Sequence, residues 1–199
     1  QIRVVPPFYE HHDFIASNAE IGSRALAAFK PDHVLMSFHG LPERHCQKSV
    51  PSDYGCCKRD NCCINLVEEN QFCYRAECFQ TARLMAQKLQ LPNSKWEVTF
   101  QSRMKQIPWI QPYTDVRLKE LAESGVKRLM VFCPSFVTDC LETVEEIEIR
   151  AKQDFINAGG EDLCLVPSLN AESHWIDAAG KILMNQVSMA KALKWASDY

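Results

Sequence analysis

Short apolar runs alternate along this chain with longer stretches of helical period. Phe14, Ile15, Ile21, Ala25, Leu26 and Phe29 recur every three or four positions, which predicts a helix over Phe8–Phe29 closed by Pro31. His33-Val34-Leu35-Met36-Ser37-Phe38 follows, a run with the length and flanks of a buried parallel strand. The alternation then repeats. A helix is predicted around Tyr74–Leu89, a strand around Lys95–Gln101, and a proline-punctuated loop over Ile107–Pro112. Thr114 or Asp115 is expected to cap the next helix, and Gly125 to end it. Arg128–Cys133 reads as a third strand, Leu141–Ala158 as a long helix stopped by Gly159-Gly160, and Leu163–Val166 as a fourth strand. A last helix, capped by Ser173, runs toward Trp195. Four strands alternating with helices predict an α/β fold with a four-stranded parallel sheet flanked by helices.

In open sheets of this kind ligands bind beyond the carboxyl ends of the strands. The residues just after each predicted strand are indeed the chemically loaded ones: His39-Gly40-Leu41-Pro42, Gln101-Ser102-Arg103, Pro134 through Glu142, and Ser168-Leu169-Asn170. No internal repeat and no glycine-rich phosphate loop is present, so a nucleotide cofactor is not indicated.

Composition narrows the classes further. The 22 basic and 25 acidic residues nearly cancel, and no basic stripe interleaved with aromatics occurs, which argues against a nucleic-acid partner. No run reaches the roughly 18 apolar residues of a spanning helix, and residues 1–7 lack a secretory core, so the chain reads as soluble and cytoplasmic. It opens on Gln1 in mid-phrase for an α/β protein and reads as a fragment. Seven of the ten cysteines (Cys46, Cys56, Cys57, Cys62, Cys63, Cys73 and Cys78) fall within a short segment. Without a secretory signal, such clustering favours metal or iron–sulfur ligation over disulfides. Cys133 and Cys164 lie in apolar strand-like runs and read as small buried hydrophobes.

His39 directly follows a strand, with Gly40 giving close access and Pro42 stiffening the exit. Its imidazole can accept a proton near neutrality. Glu142 and Glu146 are four apart on the predicted helix and share a face, whereas Glu145 and Glu148 read as ordinary solvated acids of a first turn. A base and two carboxylates suit a reaction that removes protons and hands over a cation such as Fe²⁺, which takes nitrogen and oxygen ligands.

Three motifs carry a resemblance. Leu35-Met36-Ser37-Phe38-His39-Gly40-Leu41-Pro42 resembles the strand-ending Ser-x-His-Gly/Ser-Leu-Pro signature of ferrochelatases. Gln101-Ser102-Arg103 with Pro108-Trp109-Ile110-Gln111-Pro112-x-Thr114-Asp115 is similar to a second motif of that family, and Pro134 through Thr143 to a third. The resemblance spans roughly residues 31–183 and implies insertion of ferrous iron into a porphyrin. It implies that residues 1–199 are the C-terminal half of a two-domain chelatase fold, with a cysteine-rich insertion at 43–78 and the other half absent. Such a fragment is expected not to turn over alone. Carried across, His39 is the active-site base, Glu142 its partner carboxylate, and Glu146 a continuation of the acidic line, so that all three are candidate metal ligands. Trp109 either packs on the macrocycle or anchors its loop. Cys140 stands where many members have a second histidine, which counts against chelatases that rely on paired histidines for other tetrapyrroles.

The cysteine segment resembles that of bacterial ferrochelatases carrying a [2Fe–2S] cluster, which needs four thiolates. Those are expected to be four of Cys57, Cys62, Cys63, Cys73 and Cys78. Adjacent cysteines in an extended chain point opposite ways, so one of each pair is expected to be a bystander. Structural zinc is the alternative, and a non-catalytic iron–sulfur module the rival from another class. The resemblance leaves peripheral membrane contact, oligomeric state and the choice of porphyrin open.

Overall fold

In a computed structural model, residues 4–58, 61–104 and 106–184 are described. Four strands, β1 (His33–His39), β2 (Trp96–Gln101), β3 (Arg128–Phe132) and β4 (Asp162–Leu165), form one all-parallel sheet in the order β2-β1-β3-β4. Register is set by pairs such as Met36 with Val98 and Leu35 with Val131. β1 is central and buried over five consecutive residues, as a strand covered on both faces must be. Helices α1 (His12–Phe29) and α3 (Tyr74–Lys88) cover one face with a core around Met36, Phe100, Met85 and Phe132. The opposite face is covered by α4 (Thr114–Glu123) and the helical run Leu141–Asn157, around Leu35, Leu129, Ile147 and Phe155.

Three expectations need correcting. Thr114 does not cap α4: it is its first residue, after Tyr113, and its hydroxyl is engaged with Ser37 and Thr99 in the interior. The long helix is not uniformly α, because a π segment, Val144–Ala151, separates α5 (Leu141–Thr143) from α6 (Lys152–Asn157). The last helix starts at residue 173 itself rather than after a Ser173 cap, and its expected course beyond 184 lies outside the described residues. The glycine stops hold, with Gly125 at φ +100° and Gly159 at φ +106°, a conformation that favours glycine.

Strand order creates the site. From β1 the chain crosses to β2 on one side, then back over β1 to β3 on the other, so the connections diverge between β1 and β3. A crevice opens where connections diverge at the carboxyl ends. The loops lining it are residues 39–42 and 133–140.

Candidate active site and sulfur site

His39 is half-buried at the end of β1. Its Nδ1 lies 2.6 Å from the carbonyl of Gly40. A carbonyl only accepts, so Nδ1 carries the proton, and in the neutral ring Nε2 is then the nitrogen with the lone pair, the form a base requires. The ring sits between Phe136 and Trp109, with centroids 6.0 and 6.4 Å away. Its backbone is held at both ends: the N–H donates to Ser135 Oγ at 3.0 Å, and the carbonyl accepts from the Tyr74 hydroxyl at 2.9 Å. Gly40 is required here by close approach. A Cβ would meet the Gln101 carbonyl at 2.9 Å and the Trp109 ring at 3.1 Å. Trp109 itself is only 5% exposed and packs beneath the loop.

Glu142 opens the helical run on the other side of the crevice. A hydrogen bond from Cys140 and one from its own backbone N–H hold its carboxyl below the usual range, against a smaller opposing effect of burial. A buried polar chain fixes its backbone. Gln101 donates to the Glu142 carbonyl at 2.6 Å and accepts from Ser37 at 2.7 Å, and Ser37 meets Thr114, which donates to Thr99. Glu146 points to the end of β2, where Ser102 donates to it twice, from N–H at 2.8 Å and from Oγ at 2.6 Å. Asp139 pins the loop to the residues after β4, accepting from Asn170 at 2.7 Å, from Ser168 N–H and from Thr143. Burial works against its charge, but these bonds prevail and lower its pKa.

The second site is built of sulfur. Cys62 and Cys63 Sγ are 3.2 Å apart, Cys56 and Cys57 3.7 Å, and Cys63 and Cys73 4.0 Å. Cys56, Cys62 and Cys63 lie mutually within 4.8 Å, and Cys46, from α2 (Glu43–Lys48), hydrogen-bonds both Cys57 and Cys73. All are free thiols. Hydrogen bonds from Cys46 and Cys63 hold Cys73 far below the usual thiol range, and one from Cys46 brings Cys57 down to about 7, while the same contacts and burial push Cys46, Cys56 and Cys63 up, so the cluster keeps its protons on those three. Arg75 reaches in to Cys62 and Cys63, and their sulfurs raise its pKa although burial opposes it. Thiolates are the metal-binding form. A tetrahedral ion bound by sulfur at ≈ 2.3 Å spaces its ligands about 3.8 Å apart, within the spread of the contacts here. The donor set therefore fits a thiolate-ligated centre.

The Ferrochelatase family model matches residues 1–187. The chain belongs to the ferrochelatase family. It is 48% identical over 177 residues to a protein named ferrochelatase from Pseudomonas entomophila (strain L48), covering 88% of this chain and 52% of that protein. It is 45% identical over 193 residues to one from Coxiella burnetii (strain Dugway 5J108-111), covering 95% and 53%. The chain thus spans about half the length of the curated relatives it matches.

For a ferrochelatase-family chain, the sequence expectations divide as follows. His39 and Glu142 come to the same crevice, close enough that a proton gained by His39 would act on the Glu142 carboxylate. Glu146 is turned toward Ser102, and Trp109 lies under the loop. Cys57, Cys62, Cys63 and Cys73 share the sulfur site. Cys78 is buried with its thiol against the Tyr74 hydroxyl, while Cys46 and Cys56, counted in the clustered segment but left out of the expected ligand set, join the cluster. Cys62 and Cys63 do not point opposite ways as neighbours in an extended chain would, because both occupy a turn and direct sulfur inward. Sequence reasoning also assigned no role to Ser37, Gln101, Tyr74 or Ser135. Their signal was adjacency, since each lies in or beside a motif residue.

Proposed function

We propose that this chain supplies the metal-inserting face of a ferrochelatase, which places ferrous iron in a porphyrin during haem biosynthesis. The observation that carries this is the His39 imidazole, protonated on Nδ1 and basic on Nε2, across a crevice from an ionised Glu142. His39 takes a pyrrole proton, and Glu142 receives it or steadies the incoming Fe²⁺. Glu146, doubly hydrogen-bonded by Ser102, is a second acidic station further along the helix. Trp109 acts from below, by holding the His39 loop. Exposed Leu141 and Met104, after β3 and β2, suit a flat apolar macrocycle. The remaining half of the family length is expected to be needed for turnover.

For the sulfur site we propose a [2Fe–2S] cluster, which when bound supplies one-electron redox chemistry, with four ligands drawn from Cys46, Cys56, Cys57, Cys62, Cys63 and Cys73. Structural zinc is the second reading, favoured by the tetrahedral fit of the sulfur spacing. A cytoplasmic location fits ten free thiols, and no helix among the described residues is long and apolar enough to cross a membrane.

The test joins the chain to the segment of the Pseudomonas relative that it does not cover, and follows porphyrin metallation by absorbance. His39→Ala should slow insertion by about 10²–10⁴-fold, the usual worth of a positioned base. Unchanged insertion would overturn the assignment and favour a binding module. Iron and acid-labile sulfide analysis decides between cluster and zinc.

A further inference from the structure

We infer that Tyr74 is a positioning residue for His39 and transmits to it the occupancy of the sulfur site. The inference rests on His39 being the base. Tyr74 is the first residue of α3, and its hydroxyl donates to the His39 carbonyl at 2.9 Å. Ser135 accepts from the His39 N–H and hydrogen-bonds the same phenol, so Tyr74 and Ser135 grip one peptide segment from both sides.

The residue before Tyr74 is Cys73, fully buried, which precedes α3 and meets the sulfurs of Cys46 and Cys63. Cys46 lies on α2, just beyond the His39–Pro42 loop, and is buried as deeply. Segments on both sides of the base thus end in thiols of the same cluster. Thiols that touch one another must rearrange when each approaches a common ion at ≈ 2.3 Å. A shift of Cys73 passes through one peptide unit to a phenol in contact with His39. Displacements approaching 1 Å at a reacting group cost about 10²-fold in rate, so small movements suffice to tune the base.

The test uses the chain itself, ¹⁵N-labelled and with its thiols reduced, with Zn²⁺ as a diamagnetic probe. Imidazole ¹⁵N shifts, which report the Nδ1–H tautomer, are read at fixed pH before and after one equivalent of Zn²⁺, and His39 is assigned through His39→Gln. Zn²⁺ should move the His39 signals in the wild type. In Tyr74→Phe and in Ser135→Ala the same Zn²⁺ should bind while the His39 response is lost or sharply reduced. A full response in both variants, as direct Zn²⁺ binding at His39 would give, overturns the relay. So does a silent wild type, or failure of the thiols to take Zn²⁺. Normal metallation by His39→Ala in the joined enzyme would instead sink the base assignment and leave the Zn²⁺ response to be read on its own.

Discussion

The two sites sit side by side and are held in different ways. At the carboxyl edge of the sheet, polar side chains close on other parts of the chain: Ser37, Thr99, Gln101 and Thr114 satisfy one another and seize the backbone of Glu142. Nothing external is needed to complete that arrangement, which is what preorganisation for chemistry demands. Among the described residues of 49–72, the regular structure is one 3₁₀ turn, Glu68–Asn70. Their fold turns on buried Asn70, which donates to the Asn65 and Cys62 carbonyls, on Tyr54, which also donates to Cys62, and on the sulfurs. Such a segment would draw stability from the proposed ligand, because metal binding to thiolates couples to folding. One chain thus builds a site closed by its own hydrogen bonds next to one built of free thiols.

The comparison breaks most clearly at Cys63, fully buried at the centre of the cluster. Losing an outer partner of a metal ligand already costs about 10–100-fold in affinity, so Cys63→Ser should weaken Zn²⁺ binding by more than about 100-fold. Proteolysis should then cut within 49–72 while amide protection in β1 and β3 stays high. Loss of protection in the sheet as well would show that the two regions fold as one. The converse break is Gln101→Leu, which strands the Ser37 hydroxyl and the Glu142 carbonyl. An unsatisfied buried group costs about 1–3 kcal/mol. Thermal unfolding should fall by several degrees, at about 2–4 °C per kcal/mol for a chain of this size, with Zn²⁺ uptake unchanged.

What could be read from the sequence follows the same division. All four strands were legible to within a residue at either end, because a strand buried on both faces must be a short continuous apolar run. That His39 and Glu142 would lie at one end of the sheet was legible, because the segments after parallel strands emerge at the same edge. The order β2-β1-β3-β4, which opens the crevice, was not, since no local pattern encodes which strand neighbours which. Thr114 looked like a cap because capping residues are recognised locally, and tertiary bonds to Ser37 and Thr99 outcompeted that role. Glu146 was paired with Glu142 by α-helical spacing, and a π segment differs from α by too little per turn to register in periodicity. The sulfur geometry turns on positive φ at Cys57 (60°) and Asn61 (62°), conformations that residue type rarely announces.

A smaller effect is expected at Gly40. Alanine there presses on the Gln101 carbonyl and on Trp109, and overpacking of this kind costs about 1–3 kcal/mol. Backbone cannot give way as a flexible side chain can, so Gly40→Ala should tilt the loop and lower metallation in the joined enzyme. Chemical denaturation and insertion rate, measured together, should fall together. A stability loss with an unchanged rate would mean that the loop relaxes without moving His39.

The smallest change expected is at Asp139, and its sign depends on pH. The carboxylate is ionised in the fold below its usual pKa because Asn170, Ser168 and Thr143 donate to it, against the opposing effect of burial. A group whose folded pKa is depressed contributes stability that is complete above the unfolded value of about 3.9 and disappears as pH falls through the folded value. Asp139→Asn should therefore cost about 1 kcal/mol near neutrality, and the gap between variant and wild type should close as pH falls below about 4. Urea unfolding at pH 7 and pH 3 measures it. A gap that persists at pH 3 would mean that the loop after β3 is held by the shape of its hydrogen bonds rather than by charge, extending to the periphery the self-sufficiency that Gln101 gives the interior.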